Sequence, residues 1–398
     1  MRILFLTFQF PYPSINGASI KTLSLIDYLR RDHEVRVVSL RRSALSPAQE
    51  AWAGSLGGIR TVALDKPRNV WSLLSSYVAR VPLRIERNRS SDMARLVNAE
   101  VSAFQPEVLF VDGLSMVQYV PEALKGLRFL HEHNAEYVIW QRQSEIETGP
   151  WRWVASREAA RLRRYEASAV RRFDVVFAVS EDDRLTLLDL GAESSRVRIL
   201  PNLPERVLFD MPAPMFEETE LVVLYFGTLS WQPNIEGLER ILTSVFPEVR
   251  RRMPEARLVV AGVGASPALA ARVAAADGAE FWGEVEDPES LYRVARVLVD
   301  ATRSGGGTRL KVLNALARGV PVVASTLAAQ GLEVVAEEHL LVASGDNQMV
   351  DAIELLLRDG SRWRALSKNA RDLVRSRYVA EIAYRPLDEA LARVSARA

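Results

Sequence analysis

Short apolar runs rich in β-favouring residues recur along the chain, separated by longer stretches whose apolar positions fall at helical spacing. In the first half these runs are ILFLTF (3–8), HEVRVVSL (33–40), PEVLFV (106–111), LRFLHE (127–132), FDVVFAVS (173–180) and VRILPN (197–202). Strands interleaved with helices in this way predict βαβ units and parallel sheets. The rhythm breaks between Pro201 and Glu220, a stretch rich in proline and acidic residues, and restarts with LVVLYFG (221–227), ARLVVAG (256–262), AEFWG (279–283), RVLVDAT (296–302) and VPVVAS (320–325). The pattern therefore predicts two doubly wound α/β domains, 1–202 and 220–379, joined by a linker at 203–219. A last helical stretch, 380–398, is expected to pack back on the first domain. Ligands of such sheets bind at the carboxyl ends of the strands.

Length agrees with this division, because 398 residues exceed the roughly 250–300 at which a single core stops growing. A composition of 48% hydrophobic and 25% charged residues is that of a folded globular chain. With no cysteine and four histidines, disulfides, thiolate chemistry and Cys-based zinc sites are excluded, and a reducing, cytoplasmic location is the expectation. The opening MRILFLTFQF reads as a first strand rather than a leader, and no apolar run approaches the 18 or so residues that cross a bilayer. Net charge is +1; residues 1–200 hold 28 Lys and Arg against 23 Asp and Glu, leaving 23 against 27 for the remainder. The mildly basic first half suits an anionic acceptor or the inner face of a membrane, and nothing further supports nucleic-acid binding.

The densest chemical signal is the segment from Arg303 to Ser325, RSGGGTRLKVLNALARGVPVVAS, which reads as strand end, glycine loop, helix, turn and strand. Gly305, Gly306 and Gly307 expose backbone amides at a helix start, where partial positive charge favours a phosphate. At about 100° per residue Gly307, Lys311, Asn314 and Arg318 share a polar stripe expected to face the ligand, opposite Leu310, Leu313 and Ala317, while Arg309 falls on the apolar side. A second glycine loop, Gln9 to Ser19, closes the first strand. Asn16 and Gly17 there would let backbone approach a ligand at a helix start. That loop lacks GxGxxG, which disfavours a nicotinamide or flavin enzyme. A third signal, Leu130 to Tyr137 (LHEHNAEY), sets His133, Asn134 and Glu136 at a strand end. By strand alternation His131 and His133 are expected on opposite sides.

In order along the chain stand a glycine loop after the first strand, His-Asn-x-Glu-Tyr at 133–137, Val-Ser-Glu at 179–181, Pro201-Asn202, Gly-x-Gly-Thr-Arg-Leu-Lys at 305–311 and Gly-x-Pro-Val-Val at 319–323. Together they resemble glycosyltransferase family four, retaining enzymes of GT-B fold, in which two Rossmann-like domains face each other across a cleft. The resemblance implies transfer of a sugar from a nucleoside-diphosphate sugar to a glycan, lipid-linked or small-molecule acceptor, with retention and without a metal or other cofactor; no Asp-x-Asp occurs. By position it implies Gly17 near the diphosphate, His133 beside the transferred sugar, and Lys311 with the amides of Gly306 to Thr308 on phosphate. His133 and Lys311 are thus the expected catalytic residues.

The chain also departs from that pattern. Many members carry Glu-x7-Glu, the first on a sugar hydroxyl and the second on the ribose, where this chain has Gly306 and Asn314. Asn314 would then meet the ribose as a neutral partner. The basic clamp after the first strand of the second domain is replaced by Gly227 to Asn234, GTLSWQPN, leaving the diphosphate to Lys311, helix amides and Arg303 or Arg309. These losses motivate a non-catalytic nucleotide-sugar-binding protein as an alternative, alongside a sugar-nucleotide epimerase of the same fold. Two Arg-rich stretches with interspersed aromatics, 68–95 and 151–172, are candidates for peripheral membrane contact. The sequence does not specify the oligomeric state.

Overall fold

The computed structural model describes residues 1–13, 17–64, 70–285, 287, 289–304 and 307–395. The chain forms two compact units, Met1–Pro201 with Tyr384–Ala398, and Asn202–Ala383.

The first unit holds seven parallel strands: β1 (Arg2–Thr7), β2 (Glu34–Arg41), β3 (Arg60–Ala63), β4 (Val108–Asp112), β5 (Leu127–His131), β6 (Val175–Ala178) and β7 (Val197–Ile199), in the order β3-β2-β1-β4-β5-β6-β7. Every residue of β4 is buried, as a central strand covered by helices on both faces requires. The order reverses between β1 and β4, which makes the carboxyl ends of those two strands the switch point where a ligand crevice forms.

The helix Arg385–Ser395 belongs to this unit. Its seat is polar as well as apolar. Lys21, buried in the helix Gly17–Leu29, donates to the carbonyls of Leu200 (3.0 Å) and Pro201 (2.5 Å), and its ammonium lies 4.5 Å from the centroid of the Tyr384 ring. Tyr28 donates to Asp388 at 2.7 Å.

The second unit holds β8 (Val222–Phe226), β9 (Arg257–Ala261), β10 (Ala279–Gly283), β11 (Ala295–Asp300), β12 (Val322–Ala324) and β13 (Leu341–Val342), all parallel, ordered β10-β9-β8-β11-β12-β13 with the switch between β8 and β11. Residues 203–219, expected as a linker, run along this unit. Leu208 is buried in its core with Leu203 and Phe209 packed alongside, and Arg318 and Arg371 donate to the carbonyls of Pro212 and Met211. The helix Leu310–Arg318 is consequently covered on both sides, and every residue from Val312 to Arg318 is buried. The polar stripe predicted to face a ligand is instead used within the unit.

Candidate active site

In the first unit, the chemistry gathers at the switch point. Asp112, the last residue of β4, is fully buried, and one carboxylate oxygen (Oδ1) lies 2.7 Å from His131 Nδ1 and 2.9 Å from His133 Nε2. Its other oxygen accepts from Thr22 Oγ1 at 2.5 Å and Thr7 Oγ1 at 3.2 Å. The expectation that His131 and His133 face opposite sides is therefore corrected. Strand pairing ends at His131, so the two-residue alternation no longer governs the turn that follows, and both rings reach one carboxylate.

Burial opposes ionisation of Asp112, yet the two imidazoles, His133 foremost, hold its carboxyl below the ordinary value. Burial pushes the His131 imidazole down to about 3, against the pull of Asp112. A neutral His131 with its proton on Nδ1 satisfies that distance, and its buried Nε2 is left without a hydrogen-bond partner. His133 Nε2, 2.9 Å from the same carboxylate oxygen, makes an electrostatic contact with it and has no hydrogen-bond partner. Among the described residues Asp112, His131 and His133 are the one group with spacing to hold a metal ion, their ligand atoms lying within 4.8 Å of one another. Three side-chain hydrogen bonds, from His131, Thr22 and Thr7, meet the Asp112 carboxylate.

The turn carrying His133 is tied down from behind. The Glu166 carboxylate accepts the backbone N–H groups of Glu136 (2.8 Å) and Tyr137 (3.1 Å) at the start of the helix Glu136–Ile146, and Asp183 accepts from the N–H of Ala135 at 3.2 Å. Burial and neighbouring Glu136 raise the Glu166 carboxyl above its ordinary value. Arg84 pairs with Glu136 at 2.9 Å. Gly17 opens the helix Gly17–Leu29, and a Cβ added there would meet no atom of the described residues within 4 Å. Asn16 lies outside the described residues.

In the second unit the corresponding place holds a buried ion pair. Asp300 ends β11 as Asp112 ends β4, is fully buried, and lies 3.2 Å from Lys311 Nζ. The ammonium also donates to Asn234 Oδ1 (3.2 Å) and sits 4.6 Å from the centroid of the Tyr225 ring. Burial pushes the Lys311 amine below its ordinary value while Asp300 opposes the shift. Lys311 was expected as a cation on an open stripe; it is nearly buried, because its aliphatic stem crosses the sheet end and passes Gly227, where an added Cβ would stand 3.7 Å from Lys311 Cδ. The Gly227–Asn234 loop has no cation of its own, and Lys311 brings one to it from another strand's helix.

The glycine loop and helix also differ from expectation. The helix begins at Leu310, not at Gly307, and Arg309 at its N-cap makes no side-chain capping bond. Gly307 has φ 72°, a left-handed turn that redirects the chain ahead of this helix. Gly305 and Gly306 lie outside the described residues. Arg309 Nη2 donates to the Ser304 carbonyl at 2.9 Å, Thr308 Oγ1 accepts from Asn202, and the well-exposed Arg303 lies 3.5 Å from Asp346. Asn314, expected to meet a ribose, is buried: its Oδ1 accepts from the Glu205 N–H (3.1 Å) and its Nδ2 donates to Glu205 Oε1 (3.0 Å). Burial raises the half-buried Glu205 carboxyl above its ordinary value, with Asn314 opposing. A carboxylate absent from position 314 is thus present beside it, supplied by residue 205.

Asp112, Asp300 and Glu205 were not singled out in the sequence, and His131 was set on the side away from His133. One signal was available for two of them: Val-Asp closes an apolar strand at 111–112 and again at 299–300, and a carboxylate ending a fully buried strand needs a donor partner.

Comparison with known proteins accords with this arrangement. The profile described as Glycosyltransferase Family 4 matches residues 15–203, and that described as Glycosyl transferases group 1 matches residues 220–359. An "Uncharacterized 44.6 kDa protein in cps region" of Klebsiella pneumoniae is 21% identical over 402 residues, covering 95% of this chain and 96% of its own. Anabaena Alr3699/HepE in complex with UDP and glucose superposes with TM-score 0.68 at 16% identity, over 99% of this chain and 100% of that one. Sucrose-phosphate synthase from Thermosynechococcus elongatus gives TM-score 0.71 at 16% identity over all of both chains. WaaG, a glycosyltransferase involved in lipopolysaccharide biosynthesis, gives 0.67 at 15% identity over 97% of this chain and 98% of that one. With both of its parallel-sheet units matched by glycosyltransferase profiles, this chain belongs to the glycosyltransferases of GT-B fold.

Proposed function

We propose that the protein transfers a sugar from a nucleoside-diphosphate sugar to an acceptor hydroxyl with retention of configuration and without a metal, at a cytoplasmic site that extends to the inner face of a membrane. The observation that carries this reading is Lys311, a cation held by Asp300, Asn234 and Tyr225 at the switch point of the second unit, in the first turn of a helix whose N-cap residue makes no side-chain capping bond. A leaving diphosphate gains negative charge at its bridging oxygen. A fixed ammonium and uncapped amides stabilise that charge more than the ground state, which is the binding that accelerates a reaction. His133, its ring beside the buried Asp112 carboxylate, orients a hydroxyl of the transferred sugar. The acceptor is a glycan, a lipid-linked or a small-molecule hydroxyl.

The test is a thermal-shift panel of nucleoside diphosphates and their sugars, since a ligand at 100 times its dissociation constant stabilises the fold by about 2.7 kcal/mol. Proton NMR of the product made from the stabilising donor then reads the anomeric configuration. Retained activity after exhaustive chelation supports metal independence. Activity lost to chelator and restored by one divalent ion would assign the Asp112 cluster a metal and overturn that part. A donor whose sugar is altered but not transferred would indicate an epimerase.

A further inference from the structure

Two helices of the first unit present apolar side chains to solvent. Val78 is 86% exposed, Trp151 66%, Trp153 57% and Leu74 49%, with Tyr77 also exposed. They come from the helix Val70–Val78 and from the first turns of the helix Gly149–Arg172. Side-chain contacts join the two: Arg161 donates to the carbonyls of Ser76 and Val81 and its guanidinium lies 4.4 Å from the Tyr77 ring centroid, while Glu158 accepts from the N–H of Leu83 at 2.7 Å. Arg157 lies 4.7 Å from the centroid of the Trp153 ring. Residues 153, 157 and 161 are spaced by four and share one face of their helix, so the aromatic rings and guanidiniums form one row.

The charge that these two helices themselves present to solvent has one sign. The helix Gly149–Arg172 carries seven arginines and two glutamates, Glu158 and Glu166, and both glutamates are fully buried. The helix Val70–Val78 contains no ionisable group besides Tyr77. Exposed tryptophan, tyrosine and aliphatic side chains interleaved with arginine match the boundary between headgroups and acyl chains of an anionic bilayer, where amphipathic rings and cations each find their medium. A second copy of the chain is the poorer partner, because a self-complementary contact would oppose arginine to arginine. No helix among the described residues is long and apolar enough to cross a membrane, so the contact is one of lying on the surface.

We infer that the Leu74, Tyr77, Val78, Trp151 and Trp153 surface seats the first unit on an anionic phospholipid membrane, and that the sugar acceptor is a lipid-linked hydroxyl presented there. The acceptor part rests on the transfer proposed above. The helix Glu136–Ile146 starts three residues after His133 and runs toward the Trp151 turn. Its 11 residues span about 16 Å at 1.5 Å per residue, a separation that a lipid headgroup and its sugar can bridge.

The experiment floats the full chain with vesicles of phosphatidylcholine alone or mixed with phosphatidylglycerol. The expected result is binding to the mixed vesicles only, weakened by salt, with tryptophan emission moving to shorter wavelength. Val78→Asp and the double variant Trp151→Ser, Trp153→Ser are each expected to lose binding by roughly tenfold or more, as is Arg157→Glu, which leaves the apolar residues in place. Unchanged thermal melts confirm that the variants fold, and transfer to a soluble acceptor is expected at the parent rate in all of them. Absence of binding to mixed vesicles, or variants that bind as well as the parent, would overturn the membrane seat. A dimer in sedimentation velocity that dissociates in Val78→Asp would give the surface to a second copy instead. Binding without transfer to any acceptor refutes the proposed activity and leaves the seat standing. Transfer to soluble but not vesicle-borne acceptors refutes only the lipid-linked substrate.

Discussion

Asn314 and Glu205 hold each other by a two-point exchange, in which the Asn314 amide accepts from the Glu205 backbone N–H and donates to the Glu205 carboxylate. The segment after Pro201 is fastened to the Leu310–Arg318 helix in this way, and a neutral side chain at 314 is what permits it. Asn314→Ala is expected to lower stability by about 1–3 kcal/mol in urea titration, the cost of leaving buried partners unmade. Asn314→Glu sets a second carboxylate against one that burial already raises. Folding then favours the protonated form, so the deficit of this variant grows as pH rises above the ordinary carboxyl range. Glu205→Gln in the Asn314→Glu background is expected to remove that pH dependence. A single variant equally stable at pH 5 and pH 8 would count against the pairing.

Lys311 and Asp300 make a dependent pair, so replacing one exposes the other. Lys311→Ala is expected to lower turnover by tenfold or more, about 1.4 kcal/mol of transition-state stabilisation, and also to destabilise by about 3–5 kcal/mol by stranding a buried carboxylate. The double variant Lys311→Met, Asp300→Asn separates the two effects. Its melting point recovers and its turnover does not. Recovery of both would remove Lys311 from catalysis.

His133→Ala is expected to slow transfer with little change in calorimetric affinity for the nucleoside diphosphate, since its ring serves the sugar. Asp112→Asn removes the charge beside that ring and is expected to lower kcat in the same direction, less steeply. Lost nucleotide affinity with preserved transfer in His133→Ala would reverse the assignment.

His131 predicts a pH dependence of stability. Its folded value, about 3, lies below the ordinary 6.5, so between these the unfolded chain takes up a proton that the folded chain refuses. Stability from this group is complete above pH 6.5 and falls as pH drops toward 3. His131→Asn is expected to flatten that limb of the urea stability curve; an unchanged slope would show that His131 titrates normally.

Gly262 has φ +141°, and a Cβ there would lie 1.7 Å from the Gly227 carbonyl oxygen. Gly262→Ala must displace the loop that follows β8, and is expected to lower the melting temperature and abolish the shift produced by nucleoside diphosphates. A ligand-responsive variant would show that the loop is not used.

The sheets were largely readable because their central strands are buried on both faces and therefore appear as unbroken apolar runs. The two strands left unpredicted, Arg60–Ala63 and Leu341–Val342, lie at sheet edges and are short, so neither leaves such a run. Lys311 and His133 were readable as types at strand and helix ends. Their partners were not, because Asp112 and Asp300 lie far from them in sequence or on another element, and helical periodicity reports which residues share a stripe but not what covers it. Asn314 illustrates the limit. The stripe was right, and residues 205–212, which no periodicity describes, turned it inward.

The seat of Lys21 bears on the order in which the molecule is made. Its ammonium holds the Leu200 and Pro201 carbonyls and packs against Tyr384, so residues 202–383 are in effect an insertion between the body of the first unit and its closing helix. During synthesis the N-terminal unit emerges first, yet its last helix leaves the ribosome only after the whole second unit has been translated. The second unit can finish folding while the first still waits for Tyr384 to cover a lysine, which makes the N-terminal unit the later of the two to be completed.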